Sequence, residues 1–212
     1  MRIHLALLLV ITAALSPSPH RANDTVWIPP NLPGPEELPN PTIPQPMITS
    51  FRIDGFPISM QQTDLDAAAR HFMAVAGHRG DAADAISWLC FHGTSESGPW
   101  ALWLTSDEVD GPAIGGFQWQ RLNAGEKIDS RCKQLGGSSP LRSSFSIRLG
   151  MSESRIEHVM GPPTKRYRRT SLYFHHHDLT IHGQPYSADN MVYFTYRNGR
   201  LWSVAVSYQV VS

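Results

Sequence analysis

Residues 56–70 read FPISMQQTDLDAAAR, and residues 147–161 read IRLGMSESRIEHVMG. Set against each other without a gap, at an offset of 91, they place Ile58 on Leu149, Ser59 on Gly150 and Met60 on Met151. Leu65 then falls on Ile156, Asp66 on Glu157 and Ala68 on Val159. Both stretches read as helix starts. In the second, Ser152 is a good N-cap, and Met151 before it has the spacing to Ile156 of a hydrophobic staple. Met60 and Leu65 repeat that spacing around Gln61. Gly161-Pro162-Pro163 stops the second helix, and the first is expected to run through Phe72 and Val75-Ala76 to Gly77.

Each helix start is followed by alternating apolar and polar residues, the pattern of half-buried strands. The first copy offers 87–92, 100–106 and 113–122, and the second offers 168–175, 191–196 and 201–210. The segment ALWLTS at 101–106 sits on MVYFTY at 191–196. The pattern predicts an α+β fold of two tandem helix-plus-antiparallel-sheet modules, residues 47–122 and 147–212, joined by a linker over 123–146.

The second unit, from Leu149-Gly150-Met151-Ser152 through Gly161-Pro162-Pro163-Thr164, resembles the SmpA/OmlA (BamE) family of outer-membrane assembly factors. The tandem arrangement resembles the β-lactamase inhibitor protein family. These resemblances imply a helix followed by three strands, and a protein partner in the bacterial cell envelope. The role would be that of an assembly or accessory factor, or alternatively of a periplasmic inhibitor or immunity protein against a secreted enzyme. Members of the first family are lipoproteins, whereas residues 1–22 here contain no cysteine and so no lipidation site.

The N-terminal stretch itself points to export. Arg2 precedes the mostly apolar run Leu5–Leu15, too short to span a bilayer, which needs about 20 apolar residues. Small residues follow, with cleavage expected after Ala14 or Ala22. Residues 23–46 form a Pro-rich tail that excludes helix and central strand and favours polyproline II. It reads as a spacer or a solvated tail. In an oxidising compartment the two cysteines, Cys90 and Cys132, are expected to pair. The localisation expected is periplasmic or secreted.

Charge excludes one class of partner. Lys plus Arg equals Asp plus Glu at 18 each, so the chain lacks the basic field that draws a nucleic-acid backbone. Catalytic signatures are missing too: no G-x-S-x-G, H-E-x-x-H, phosphate loop or C-x-x-C occurs, and Gly93–Gly98 reads as a hairpin loop. The sequence therefore predicts a non-enzymatic protein without a cofactor. A metal-dependent hydrolase built on His175, His177 and His182 is the rival reading, since adjacent strand residues point to opposite faces and only alternate histidines can converge. Lys165–Arg169 reads as a solvated basic edge or a contact for an acidic partner.

Pleat alternation supplies the candidate binding site. With the helices packed on Leu102, Leu104, Val192 and Phe194, Trp103 and Tyr193 point the other way. The same reasoning, with Trp88, Cys90, Leu172 and Phe174 buried, puts Phe91 and Tyr173 beside them. The expected protein-binding face is thus Phe91, Trp103, Tyr173 and Tyr193. The alternative is that the 123–146 linker, pinned through Cys132 to Cys90, covers that face.

Overall fold

Two glycine–tryptophan pairs show how the strands are held. Gly77 faces Trp88 across one antiparallel ladder, and Gly93 faces Trp100 across the next. In each pair the indole lies where a Cβ on the glycine would be. A large flat ring covers a backbone with no side chain of its own, which returns packing to a weak strand position. The computed structural model describes residues 25–30, 48–81, 85–107, 111–136, 141–143 and 146–211. Residues 1–22, expected to be a leader, lie outside the described residues, as does the Pro-rich stretch 23–46 apart from residues 25–30.

In chain order the described elements are β1 (Ser50–Ile53), β2 (Phe56–Ser59), α1 (Leu65–Phe72), β3 (Ala76–Arg79), β4 (Ile86–Ser95), β5 (Gly98–Asp107) and β6 (Gly116–Arg121). They continue with β7 (Lys133–Gln134), β8 (Leu141–Ser143), α2 (Glu153–Met160), β9 (Lys165–Tyr167), β10 (Thr170–Ile181), β11 (Gln184–Arg197) and β12 (Arg200–Val211). A nine-stranded sheet runs in the order β3-β4-β5-β6-β12-β11-β10-β9, with β7 added in parallel to β4. A smaller sheet has the order β2-β1-β8.

The expected fold of two tandem helix-plus-sheet modules is overturned. The described residues are 55% strand and 10% helix, with two short helices among them. β6 pairs with β12, Trp119 opposite Val204, so strands from both halves belong to one ladder. α2 has the expected bounds, whereas α1 is shorter than the reading because it starts later and stops earlier. Asp64, not Gln61, caps α1, its Oδ1 accepting from the N–H groups of Asp66 (2.7 Å) and Ala67 (3.1 Å). Met73 then adopts a left-handed conformation and ends the helix, and the residues read as its continuation become strand β3. Leu65 therefore opens α1, whereas its aligned counterpart Ile156 lies within the body of α2. The expected cap of α2 is present: Ser152 Oγ accepts from Arg155 N at 3.3 Å.

Both helices and the β1–β2 hairpin pack on the same face of the large sheet. Leu65, Ala68 and Phe72 of α1, Ile156 and Met160 of α2, and Phe51, Ile53 and Ile58 of the hairpin share one core with Leu102, Leu104, Val192 and Phe194. A second apolar cluster forms on the opposite face around Trp88, Cys90 and Trp103. A third, on that same face, gathers Leu172, Phe174, Tyr193 and Ala205. The sheet is thus apolar on both sides. Its strands then carry no alternation to choose a face, as in any strand buried twice over.

At the far end of β11 the register slips. Thr195 pairs with Ser203 but Tyr196 pairs with Leu201, so Trp202 is the extra residue of a bulge. Leu201 takes the core position. The Trp202 indole instead meets two guanidinium groups, Arg197 at 3.7 Å and Arg121 at 5.2 Å from its ring. Among the described residues no helix is long and apolar enough to cross a membrane.

Candidate functional site

The four aromatic residues expected on one open face divide between two cores. Phe91 (0% exposed) and Tyr173 (1%) lie on the helix side, Phe91 edge-on to Phe72 at 5.1 Å. Trp103 (1%) and Tyr193 (3%) lie on the opposite side but are equally covered. Ladder register explains the split, because Phe91 sits opposite Leu102 and Tyr173 opposite Val192, and residues directly opposite share a face.

Trp103 is covered by two strips of chain. Residues 25–30 cross the second face, where the Trp103 indole N–H donates to Trp27 O (3.0 Å) and Gln118 Nε2 donates to Pro30 O (2.7 Å). Trp27 meets Trp88 edge-on at 5.7 Å. The second strip is the disulfide loop. Cys132 is bonded to Cys90, with Cα atoms 4.6 Å apart, and Ile128 packs against the same cluster. The two strips bond to each other, Val26 N–H donating to Lys127 O (2.7 Å) and Asp129 N–H to Val26 O (3.2 Å). Residues 25–30 were read only as tail. A tryptophan inside a proline run was the signal that this part is anchored.

The histidines sit on the β10–β11 hairpin. His175 and His177 share a face, with ring centroids 5.1 Å apart, and His176 points the other way. Burial pulls the His175 pKa below the ordinary imidazole value, helped by the neighbouring His177 and His176. His176 Nδ1 lies 2.7 Å from Asp189 Oδ1, and its Nε2 lies 3.9 Å from Asp178 Oδ1. His182 occupies the turn between the two strands with a positive φ. Among the described residues no three His, Cys, Asp or Glu side chains converge as a metal site. In the basic stretch 165–169, Arg166 is engaged with Glu157 (2.6 Å) and Glu153 (2.8 Å) of α2.

Among the described residues, the most exposed large apolar side chains flank a groove missed by the sequence reading. Met73 is 79% exposed and Val75 is 56% exposed. They face the disulfide loop across a groove of about 520 Å³, lined also by His92, Ile128, Arg131 and Lys133. Desolvation lowers the His92 pKa, which favours its neutral form in the groove wall. On the rim, Arg131 binds Asp129 (2.8 Å) and holds that carboxyl well below the usual range. Lys133 has no salt-bridge partner among the described residues, so the rim carries one uncompensated positive charge.

Met73 is an unusual choice for its position. It donates to the last carbonyls of α1 from a left-handed backbone (φ +50°), a conformation that glycine adopts without steric cost. Another L-residue pays ~1–2 kcal/mol there. The side chain recovers little of that cost, being mostly in solvent.

The chain matches no protein-family model, no curated protein and no solved structure.

Proposed function

We propose that this is an exported, non-catalytic protein of the bacterial cell envelope that binds another protein through the groove between Met73–Val75 and the disulfide loop. Met73 carries the reading. It costs the helix cap free energy and buries almost nothing within the chain, so its value lies in a contact the isolated chain does not make. Exposed apolar side chains beside a groove are a usual marker of such contacts. The occupant that fits is an extended segment of a partner protein, placing one apolar side chain against Met73 and Val75 and a neighbouring carboxylate on Lys133. Export is supported by the apolar stretch after Arg2 and by the disulfide, which persists in oxidising compartments.

Met73→Gly tests the reading because it separates folding from binding. Glycine relieves the left-handed cap, so stability should rise by ~1 kcal/mol. A partner retained from envelope extract by the wild-type chain should be lost. The reading fails if every specifically retained protein is still held by the glycine variant, or if the wild type retains none.

A further inference from the structure

At the sheet edge away from the groove, the outer side of β10 is open. β9 covers β10 only from Thr170 to Leu172, and Thr164 Oγ1 accepts the outward N–H of Phe174 (3.0 Å). Arg169 O points inward, accepting from Tyr196 N of β11. Odd-numbered residues thus turn their backbone groups to β11, and even-numbered ones turn theirs out. His176, Asp178 and Thr180 therefore present backbone N–H and C=O groups that no described residue satisfies. All three side chains are exposed, Asp178 at 96%. Such a row is a template for strand addition unless charge or proline blunts it. Between Tyr173 and Ile181 there is no proline and no lysine or arginine, and Asp178 is the one carboxylate.

We infer that two copies of the chain pair antiparallel along β10, joining their sheets about a two-fold axis at His177. The register follows from charge and from what is already bonded. With His177 opposite its own symmetry mate, His176 lies opposite Asp178 of the second copy, and Asp178 opposite its His176. Both pairs fall on the same face, and all four outward backbone groups of each pair are satisfied. A shift toward the hairpin tip sets Asp178 against Asp178, a like-charge contact that costs stability. A shift toward β9 runs into the edge already taken by Lys165 and Thr164. The self-complementary register is the one that avoids both. It is also isologous, as a two-fold contact must be.

Edge pairing buries less than a standard interface, so the dimer is weak, with a Kd of about 10–100 µM. Sedimentation of the full mature chain across that range should show the monomer–dimer transition. Hydrogen exchange should show the amides of His176, Asp178 and Thr180 slowing as concentration rises. Asp178→Pro removes an outward N–H that the monomer does not use, together with the carboxylate, and should abolish the dimer. Asp178→Lys keeps the N–H and sets a cation opposite His176, weakening the dimer by about tenfold. It also decides the matter if the proline variant melts early. A chain still monomeric at roughly 500 µM overturns the inference. So does a dimer that both variants leave intact, which places the contact elsewhere, or a partner other than a second copy protecting these amides in dilute solution.

Discussion

Gly93 and Trp100 face each other across β4 and β5, with the Trp100 indole occupying the place of the missing Cβ. Gly77 and Trp88 stand in the same relation at the sheet edge. Neither indole N–H has a hydrogen-bond partner among the described residues, so these rings serve area and shape rather than polarity. Gly93→Ala should destabilise by about 1–3 kcal/mol, because the ring has no room to move within a filled core. Gly77→Ala should cost a similar amount. Urea denaturation of the two variants checks this, and a change under about 0.5 kcal/mol would show that the indoles shift freely.

Trp103→Ala is expected to cost about 3–5 kcal/mol, as for other buried tryptophans. It also removes the donor to Trp27 O, which loosens residues 25–30 on the sheet while Gln118 and Lys127 still hold them. Trp27→Ala should mimic part of this, costing less but raising solvent access to Trp88 and Trp103. Fluorescence quenching by iodide in the Trp27 variant reads that access directly.

Burial governs the alkaline limit of the fold. Desolvation pushes the phenol pKa values of Tyr193 and Tyr196 up to about 12, from 10.0. Below pH 10 both phenols are protonated in the folded and unfolded chain, and their contribution is present in full. As pH rises from 10 toward 12 the unfolded chain ionises first, so stability falls. Tyr193→Phe should flatten that fall while changing little at neutral pH, because the Tyr193 hydroxyl donates only a long contact to Met191 Sδ (3.5 Å). Urea midpoints at about pH 9 and pH 11 for both proteins test it.

The sequence showed where structure was local and hid it where both faces of a strand are apolar. Ser152 as a cap and the strand character of 87–92 and 191–196 were legible from residue types alone. The face assignments of Phe91 and Tyr173 were not, since Trp88, Cys90, Leu172 and Phe174 looked equally fit to be buried and are buried, on the other side. One local signal could have settled it. The hairpin turn at Glu96-Ser97 pairs Cys90 with Trp103 and Phe91 with Leu102. That register would have put the disulfide and Trp103 together on the second face. The groove was invisible for a different reason: Met73 and Val75 lie in an apolar helical pattern, and only the left-handed turn at Met73 throws them into solvent.

Reduction of Cys90–Cys132 should uncouple the groove from the sheet. The bridge closes a loop with a sequence separation of 42, for which the chain-entropy model gives about 4 kcal/mol of stabilisation. A small domain is stable by roughly 5–15 kcal/mol, so the reduced chain should remain folded in water but melt much earlier. The local effect is larger than the global one. Ile128, Arg131 and Lys133 reach the groove on the loop that Cys132 pins, and the same loop clamps Val26 and Trp27 over Trp88. Without the bridge, its far end is still held by the parallel pairing of β7 with β4 at Phe91 and His92, and by the Leu135 N–H donating to His92 O (2.9 Å). Cys90→Ala with Cys132→Ser should therefore lower affinity for a groove-bound partner more steeply than it lowers the fraction folded. Hydrogen exchange should show faster amides in 126–134 at a temperature where β11 and β12 stay protected. Equal protection in both regions would mean that the loop is held by packing against Trp27 and not by the disulfide.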